Sequence, residues 1–246
     1  MCLVLLSFHS IPSQPVVLAA NRDEFYDRGS APPQLLANSP RVFGGKDLRH
    51  GGTWLGMNEF GVIAGITNRH CGEAPRENLP SRGRLCLEAL ARPSSREAAQ
   101  WVVETRAKRA YNPFIFFAVD IDEAWYVTDA PGQDAKQLRP GWYLIDNCCL
   151  NNPDSPRVRR ARELLDRATL RLSSDFPSML AAILRDHGEG HDGANLDAVC
   201  RHGRTAGTRS SSILVIEFAN RMRYWHAEGP PCENDFEEML LPWRKP

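Results

Sequence analysis

Short apolar runs follow one another in pairs along this chain, and their order constrains the fold more than any other feature of the sequence. The first four such runs cover 2–8, 15–21, 53–57 and 61–67. Each is bounded by Pro, Gly or Asn, which is typical of strands. Strands joined by a few residues pair antiparallel, so the last two predict a hairpin that turns at 58–61. The order of these apolar runs therefore predicts hairpins, not a regular alternation of strands and helices.

Helical patterns separate these strands from later ones. The spacing of apolar residues predicts helices over 82–91, 95–109 and 156–172, and a further helical pattern from 176 up to Gly188. Ser94 and Glu97 have the spacing of a capping box at the second helix. Further strands are predicted at 113–121, 124–130 and 141–147, and a last hairpin at 211–228 turns near Asn220. The segment 187–208 is rich in Gly and polar residues and is expected to be a loop.

This succession predicts an α+β fold. Two antiparallel sheets packed face to face, with helices on both outer sides, would accommodate all the elements as a four-layer αββα sandwich. We expect one domain over 1–246, and a two-domain chain divided near 94 is the alternative.

Charge and cysteine usage limit the classes of partner. Thirty basic residues balance thirty acidic ones, so no overall field would attract nucleic acid or an anionic membrane surface. The opening apolar run is too short for a signal peptide, and no later run reaches the length of a membrane span. Seven cysteines, among them the adjacent Cys148 and Cys149, do not form a secreted disulfide pattern. A cytoplasmic protein with reduced thiols and a small-molecule partner is expected.

Cys2 is the first residue with catalytic potential. Aminopeptidases remove an initiator Met that precedes a small residue, and the mature chain would then begin with Cys2. Such a residue offers a thiol nucleophile together with a free α-amine that can act as its general base. The alternative is a small apolar residue at the start of a strand.

The run VVLAANRDEF, which ends the second strand, brings four polar residues together. Period-two alternation puts Asn21 and Asp23 on one face and Arg22 and Glu24 on the other. A carboxylate near the α-amine of Cys2 would orient it, and a guanidinium near the thiol would favour the thiolate.

Four ordered motifs resemble the Asn-Arg-Asp-Glu motif family, which includes the transport and Golgi organisation proteins. They are the amino-terminal MC, AANRDEF, GGTWLG and the ITN of 66–68. This family is similar to the N-terminal nucleophile hydrolases, and the resemblance implies their αββα fold. Relatives of that fold include bile salt hydrolases and penicillin V acylase, which cut non-peptide amide bonds with an N-terminal Cys.

The resemblance also implies roles for individual residues. Cys2 matches the nucleophile, Asp23 the carboxylate that binds the α-amine, Asn147 the side chain of the oxyanion hole, and Asn68 its partner. The hydrolases carry a thiol-supporting Arg three residues before the Asp, and here that position is Ala20.

Two arginines are candidates for the missing positive charge. Arg22 precedes the Asp directly, and Arg209 stands in GTRSS, where a surface position is the alternative. For substrate binding we expect Asn21, Gly52, whose backbone would approach the pocket, and Trp54, either as an apolar wall or as a core residue.

A metal site is not expected from the sequence. His187, His191, Cys200 and His202 share one loop, but their spacing has no Cys-x-x-Cys or His-Glu-x-x-His anchor, and solvated loop histidines are the preferred interpretation. The later stretch from Gly229 to Cys232 resembles the ending of acyltransferases that cleave themselves to expose an N-terminal Cys.

The sequence thus predicts an amidohydrolase that needs no cofactor and acts on a linear C–N bond of an N-acylated small molecule. The alternative is a non-catalytic protein that binds or traffics haem or acyl-CoA in the same pocket, with His50 or His70 near a haem. A degenerate fold without an active site is a third possibility. Arg22 discriminates between the first two, since a guanidinium facing the thiol favours hydrolysis and one facing away favours binding.

Overall fold

Strands dominate the chain in the computed structural model, which describes residues 2–70, 72, 74–130, 134–169, 176–188, 196–218 and 221–243. Within these ranges the strands are β1 (Leu3–Ile11), β2 (Gln14–Phe25), β3 (Ser30–Asn38), β4 (Arg41–Asp47), β5 (Leu55–Asn58), β6 (Ile63–Asn68), β7 (Phe114–Val119), β8 (Ala124–Thr128), β9 (Lys136–Leu138), β10 (Gly141–Ile145), β11 (Ala206–Glu217), β12 (Arg221–Glu228) and β13 (Glu237–Glu238). The helices are α1 (Arg82–Ala89), α2 (Ser95–Lys108), α3 (Pro156–Thr169) and α4 (Phe176–Leu184).

These strands form two antiparallel sheets. One has the order β10-β1-β2-β11-β12-β13 and the other β3-β4-β5-β6-β7-β8-β9. The second sheet contains strands from both sides of position 94, where the two-domain alternative would divide the chain. No helix in the described ranges has both the length and the apolar character needed to cross a membrane.

Three apolar clusters hold four layers together. One lies between the sheets and contains Leu6, Leu18 and Phe117. A second joins the six-stranded sheet to α3 and α4, and a third joins the seven-stranded sheet to α1 and α2. The predicted αββα sandwich is confirmed.

The central strands are apolar on both faces because both faces are covered. In β1, Leu5 packs towards the helices while Leu6 packs towards the other sheet, and Ala19 and Leu18 do the same in β2. Alternate residues of one strand therefore reach different layers.

Four strands were not predicted, namely β3, β4, β9 and β13. Two prolines obscure β3, and they are tolerated because β3 is an edge strand. Two glycines interrupt the apolar pattern of β4; a Cβ on Gly45 would lie 2.3 Å from the Trp54 ring. The other two strands are only two or three residues long.

Several boundaries also differ from the prediction. β2 continues through its polar cluster to Phe25, and β11 begins at Ala206, inside the predicted loop. The turn near Asn220 and the predicted helical residues 170–172 lie outside the described ranges. The Ser94 cap is confirmed, since its hydroxyl oxygen accepts a hydrogen bond from Glu97 N at 3.2 Å.

Asn58 fixes the hairpin between β5 and β6 to the helices outside it. Its fully buried amide donates to the carbonyl oxygens of Leu90 and Arg92, both at 2.8 Å. Its Oδ1 accepts from the backbone nitrogens of Phe60 and Val62, both at 3.0 Å. One side chain thus satisfies four backbone groups.

We expect Asn58→Ala to lower the free energy of unfolding by about 3 kcal/mol, because buried backbone groups lose their partners. Urea denaturation with an unchanged m-value would measure it. Asn38→Ala is the matched control, since Asn38 is exposed, and its effect should stay within about 0.5 kcal/mol. Equal effects of the two variants would contradict this role for Asn58.

Candidate active site

Cys2 lies just before β1, and its nitrogen is held by a side chain that follows the neighbouring strand β10. The nitrogen donates to Asn147 Oδ1 at 2.7 Å. β10, which precedes Asn147, pairs with β1 through Val4 and Ile145. The ladder therefore brings residue 147 beside residue 2, although 145 positions separate them in sequence.

The amide of Asn147 has a defined orientation. Its Nδ2 donates to Thr67 Oγ1 at 2.7 Å and to the backbone oxygen of Asn68 at 2.6 Å. Since a carbonyl oxygen only accepts, the amide nitrogen has to face Asn68 and Oδ1 has to face Cys2. Asn147 thus links the start of β1 to the end of β6 in the other sheet.

This geometry corrects the role predicted for Asn147. Both N–H groups of its amide are engaged, so in this arrangement neither points to an oxyanion beside Cys2. Asn68 is exposed and lines the same cleft as Cys2. The sequence reasoning missed Thr67, although it stands in the ITN motif.

Arg22 lies on the same face as Cys2. Leu3 is opposite Asn21 in the β1–β2 ladder, so the next pair outward joins Cys2 and Arg22. Both residues line the main cleft and a smaller pocket beside it. The face that Arg22 shares with Ala20 is the one that turns towards the other sheet.

Ala20 and Arg22 share a face because they are two residues apart in one strand. The cation is therefore displaced along β2 relative to the position expected from the hydrolases, but it stays on the side of the thiol. The sequence prediction that Arg22 and Asp23 point to opposite faces is confirmed, with Arg22 on the cleft side.

The surroundings of Arg22 position its guanidinium group firmly. Its Cζ lies 4.2 Å from the centroid of the Trp54 ring, and NH1 donates to Ser30 Oγ at 3.3 Å. Burial lowers the pKa of Arg22, while the charge of Cys2, followed by nearby carboxylates, acts in the opposite direction. Among the described residues no carboxylate forms an ion pair with Arg22, so its charge is directed to the cleft.

Asp23 borders the cleft, but its carboxylate pairs with a residue of the helical layer. Oδ2 accepts from Arg157 NH1 at 2.5 Å, and Oδ1 accepts from Thr208 Oγ1 at 2.8 Å. Both side chains of the ion pair are about 95% buried, with 4% and 5% exposed. The predicted pairing of Asp23 with the Cys2 nitrogen is thus corrected: the acceptor for that nitrogen is Asn147.

Asn21 is also part of the supporting structure rather than of the cleft wall. Its Nδ2 donates to the backbone oxygens of Leu184 at 2.9 Å and Val199 at 2.8 Å, and its Oδ1 accepts from Ser211 Oγ. Asn21 borders the smaller pocket beside Cys2, but its amide is fully buried and engaged with these partners, so its side chain supports the strand in this structure.

The other predicted residues divide between the cleft and its surroundings. Trp54 is half-buried and lines the cleft, as expected for an apolar wall. Gly52 packs against the start of α1, where a Cβ would lie 2.1 Å from the Gly83 carbonyl carbon. The absence of a side chain at Gly52 therefore allows its backbone to contact the helix, not a ligand. Arg209 stands at a register shift in β11, with its Cζ 5.7 Å from the Tyr26 ring, and does not line the cleft within the described residues.

The cleft in front of Cys2 has a volume of about 530 Å³ and a strongly charged lining. Its lining arginines are Arg22, Arg28, Arg49, Arg76 and Arg82. Asp47 is paired with Arg28 at 2.7 Å. His50 lines the cleft, while the backbone nitrogen of His70 donates to Asn147 O at 2.7 Å. Asp23, Glu24, Asp47 and Glu77 also line the cleft, so arginines exceed acidic residues there by only one, and the cleft suits a polar ligand that carries hydrogen-bond-accepting or anionic groups.

Sequence comparison gives matches that span most of the chain. A family model described as Transport and Golgi organisation 2 matches residues 1–228. The Transport and Golgi organization protein 2 homolog of Bos taurus is 28% identical over 248 residues, which cover 88% of this chain and 89% of that protein. The Transport and Golgi organization 2 homolog of Mus musculus is 25% identical over 252 residues, with 88% and 89% covered.

Structure comparison supports the fold at much lower identity. The N-acylethanolamine-hydrolyzing acid amidase ortholog of Caenorhabditis elegans superposes with a TM-score of 0.58 at 13% identity, covering 87% of this chain and 92% of that one. The conjugated bile acid hydrolase of Clostridium perfringens gives 0.54 at 12% identity, covering 98% and 97%. The predicted N-terminal nucleophile hydrolase fold is thereby confirmed.

The buried Asp23–Arg157 pair predicts a non-additive response to mutation. Arg157→Met should destabilise the protein by about 3–5 kcal/mol, because it leaves a buried carboxylate without its cation. Combining it with Asp23→Asn should restore part of that loss, as measured by urea denaturation of the single and double variants.

Arg159→Met, on the exposed side of the same helix, is the control and should change stability by about 0.5 kcal/mol or less. Additive losses in the double variant would show that the two side chains do not act as a pair.

Proposed function

The chain belongs to the Transport and Golgi organisation 2 family, and its fold is shared with amidases. We propose that it is an N-terminal cysteine amidohydrolase that acts on a linear C–N bond of an N-acylated small molecule. The observation that carries this proposal is the meeting of Cys2, Arg22 and Asn147 at one cleft. Cys2 contributes the nucleophile, Arg22 a buried cation on the same face, and Asn147 the group that holds the Cys2 nitrogen.

Removal of Met1 is the step that would complete the site. The Cys2 nitrogen would change from a peptide amide to an α-amine while Asn147 Oδ1 continued to accept its hydrogen bond. The amine would take the proton of the thiol, and Sγ would attack the carbonyl carbon of the substrate. Arg22 would favour the thiolate through its charge.

The rest of the reaction uses the same groups. Collapse of the tetrahedral intermediate would break the C–N bond, with the α-ammonium returning its proton to the leaving amine. Water, deprotonated by the α-amine, would then hydrolyse the thioester and release the acid. We assign the side chain of Asn68, which lines the cleft, to the oxyanion, because both N–H groups of Asn147 are engaged.

A second candidate function is binding of acyl-CoA without turnover. The arginines in the cleft supply charges that phosphate groups require, and Trp54 supplies an aromatic face. The lining supports haem less well, because a macrocycle with apolar faces would meet mostly charged and polar residues.

The hydrolase proposal predicts the mass and the reactivity of the protein. Intact-mass analysis should show that Met1 is absent, and N-acyl amides should be cleaved by this form but not by Cys2→Ala. Arg22→Leu should slow the alkylation of Cys2 by iodoacetamide about tenfold, since it removes a neighbouring cation. Peptide mass spectrometry distinguishes Cys2 from the exposed Cys148.

Arg209→Leu is the matched control and should leave the alkylation rate of Cys2 unchanged, since Arg209 packs on Tyr26. Retention of Met1 would rule out the hydrolase, because no α-amine would be present.

The binding proposal predicts a different result. Calorimetry with the Cys2→Ala protein should detect acyl-CoA, and Arg82→Leu should weaken binding by about tenfold through loss of a cation from the cleft. Binding of the free fatty acid with equal strength would show that the phosphate groups are not recognised. Absence of any heat would exclude this second function.

A further inference from the structure

Two cysteines and two histidines from three separate segments converge at a place outside the cleft. His187 follows α4, Cys200 and His202 stand before β11, and Cys232 follows β12. Their ligand atoms all lie within 4.8 Å of one another. The sequence interpretation of solvated loop histidines does not describe His202, which is half-buried and contacts three of these side chains. His191 lies outside the described residues.

The distances within this cluster resemble the edges of a coordination tetrahedron. Sγ of Cys200 lies 3.7 Å from Sγ of Cys232, and Nε2 of His202 lies 3.7 Å from the first sulfur and 3.2 Å from the second. The two Nε2 atoms are 3.2 Å apart. Tetrahedral zinc, with Zn–S of about 2.3 Å and Zn–N of about 2.0 Å, places its ligand atoms about 3.3–3.8 Å apart.

Hydrogen bonding alone does not account for this convergence. One imidazole nitrogen carries at most one hydrogen, and the Nε2 of His202 is within 3.7 Å of three other ligand atoms. A single cation at the centre would satisfy all four groups at once.

We propose that His187, Cys200, His202 and Cys232 form a structural Zn²⁺ site. Two thiolates and two imidazoles are a donor set that suits zinc, and four protein ligands fill a tetrahedral shell with no position left for substrate. On binding, each cysteine releases its proton to solvent, two Zn–S and two Zn–N bonds form, and the site has no net charge. This site is independent of the proposed hydrolysis.

The ion would hold the segment around Val199, which contacts the helix-facing side of β2. Val199, next to the ligand Cys200, accepts hydrogen bonds through its backbone oxygen from Asn21 at 2.8 Å and from Arg157 at 2.6 Å. The backbone nitrogen of Cys200 donates to Asp186 O at 2.7 Å, beside the ligand His187. Zinc would therefore fix together the end of α4, the start of β11 and the turn after β12.

Metal content provides the test. The full chain, with any affinity tag removed, should contain about one Zn²⁺ per molecule by mass spectrometry of the metal. After EDTA treatment, titration with Co²⁺ alone should give the visible bands of a tetrahedral ion and a thiolate charge-transfer band. Cys232→Ser and His202→Asn should each lower the affinity for Zn²⁺ at least about 100-fold, more than the loss of an outer-shell partner.

Cys148→Ser is the matched control, since Cys148 is an exposed thiol outside the cluster, and it should keep the full metal content. If both ligand variants fail to fold, the Co²⁺ spectrum of the unmodified chain decides. A chain that binds no Zn²⁺ after exposure to it, a ligand variant that folds and keeps its metal, a Co²⁺ spectrum without thiolate bands, or a Cys200–Cys232 disulfide in freshly purified protein would overturn the proposal.

Discussion

The register between β1 and β2 is the constraint on which the rest of the structure depends. Pairing of Leu3 with Asn21 places Cys2 beside Arg22 and turns both towards the opposite sheet. The same register turns Asn21 and Asp23 towards the helices, where they bind the backbone of Val199 and the side chain of Arg157. A slip of one residue would exchange the two sets and bury the guanidinium in the helical layer. The β1–β2 ladder therefore places Cys2 and Arg22 on the cleft side and Asn21 and Asp23 on the helix side.

The order of strand and helix patterns made the layered fold predictable, and period-two alternation predicted the opposing faces of residues 21–24, because both follow from local pattern. It did not identify which face belongs to Cys2, since that depends on the register with a second strand. The partner of Asp23 was hidden for a related reason: Arg157 lies 134 residues away on a helix whose sequence shows only an amphipathic pattern. Thr67 and Thr208 stand inside motifs that were recognised, but their hydroxyl contacts depend on tertiary geometry.

Distance in sequence also concealed the Cys and His cluster. His187, Cys200 and His202 lie within 16 residues of one another, where their spacing fits no familiar metal motif, and Cys232 lies beyond the β11–β12 hairpin. Antiparallel pairing of β11 with β12 returns the chain to this segment, so that Cys232 meets Cys200 across a separation of 32 residues. A ligand set assembled by a hairpin leaves no local signature, whereas one assembled on a single turn or helix does.

The side chain of Asn147 connects the two sheets through hydrogen bonds. Because its amide contacts Cys2 on one sheet and Thr67 and Asn68 on the other, it ties the position of Cys2 to the end of β6. The irregular segment 74–81 contributes residues to another wall of the cleft. In the hydrolysis proposed above, Asn147 would therefore hold the attacking group in one place, and substitutions in 74–81 are the ones expected to change ligand selectivity.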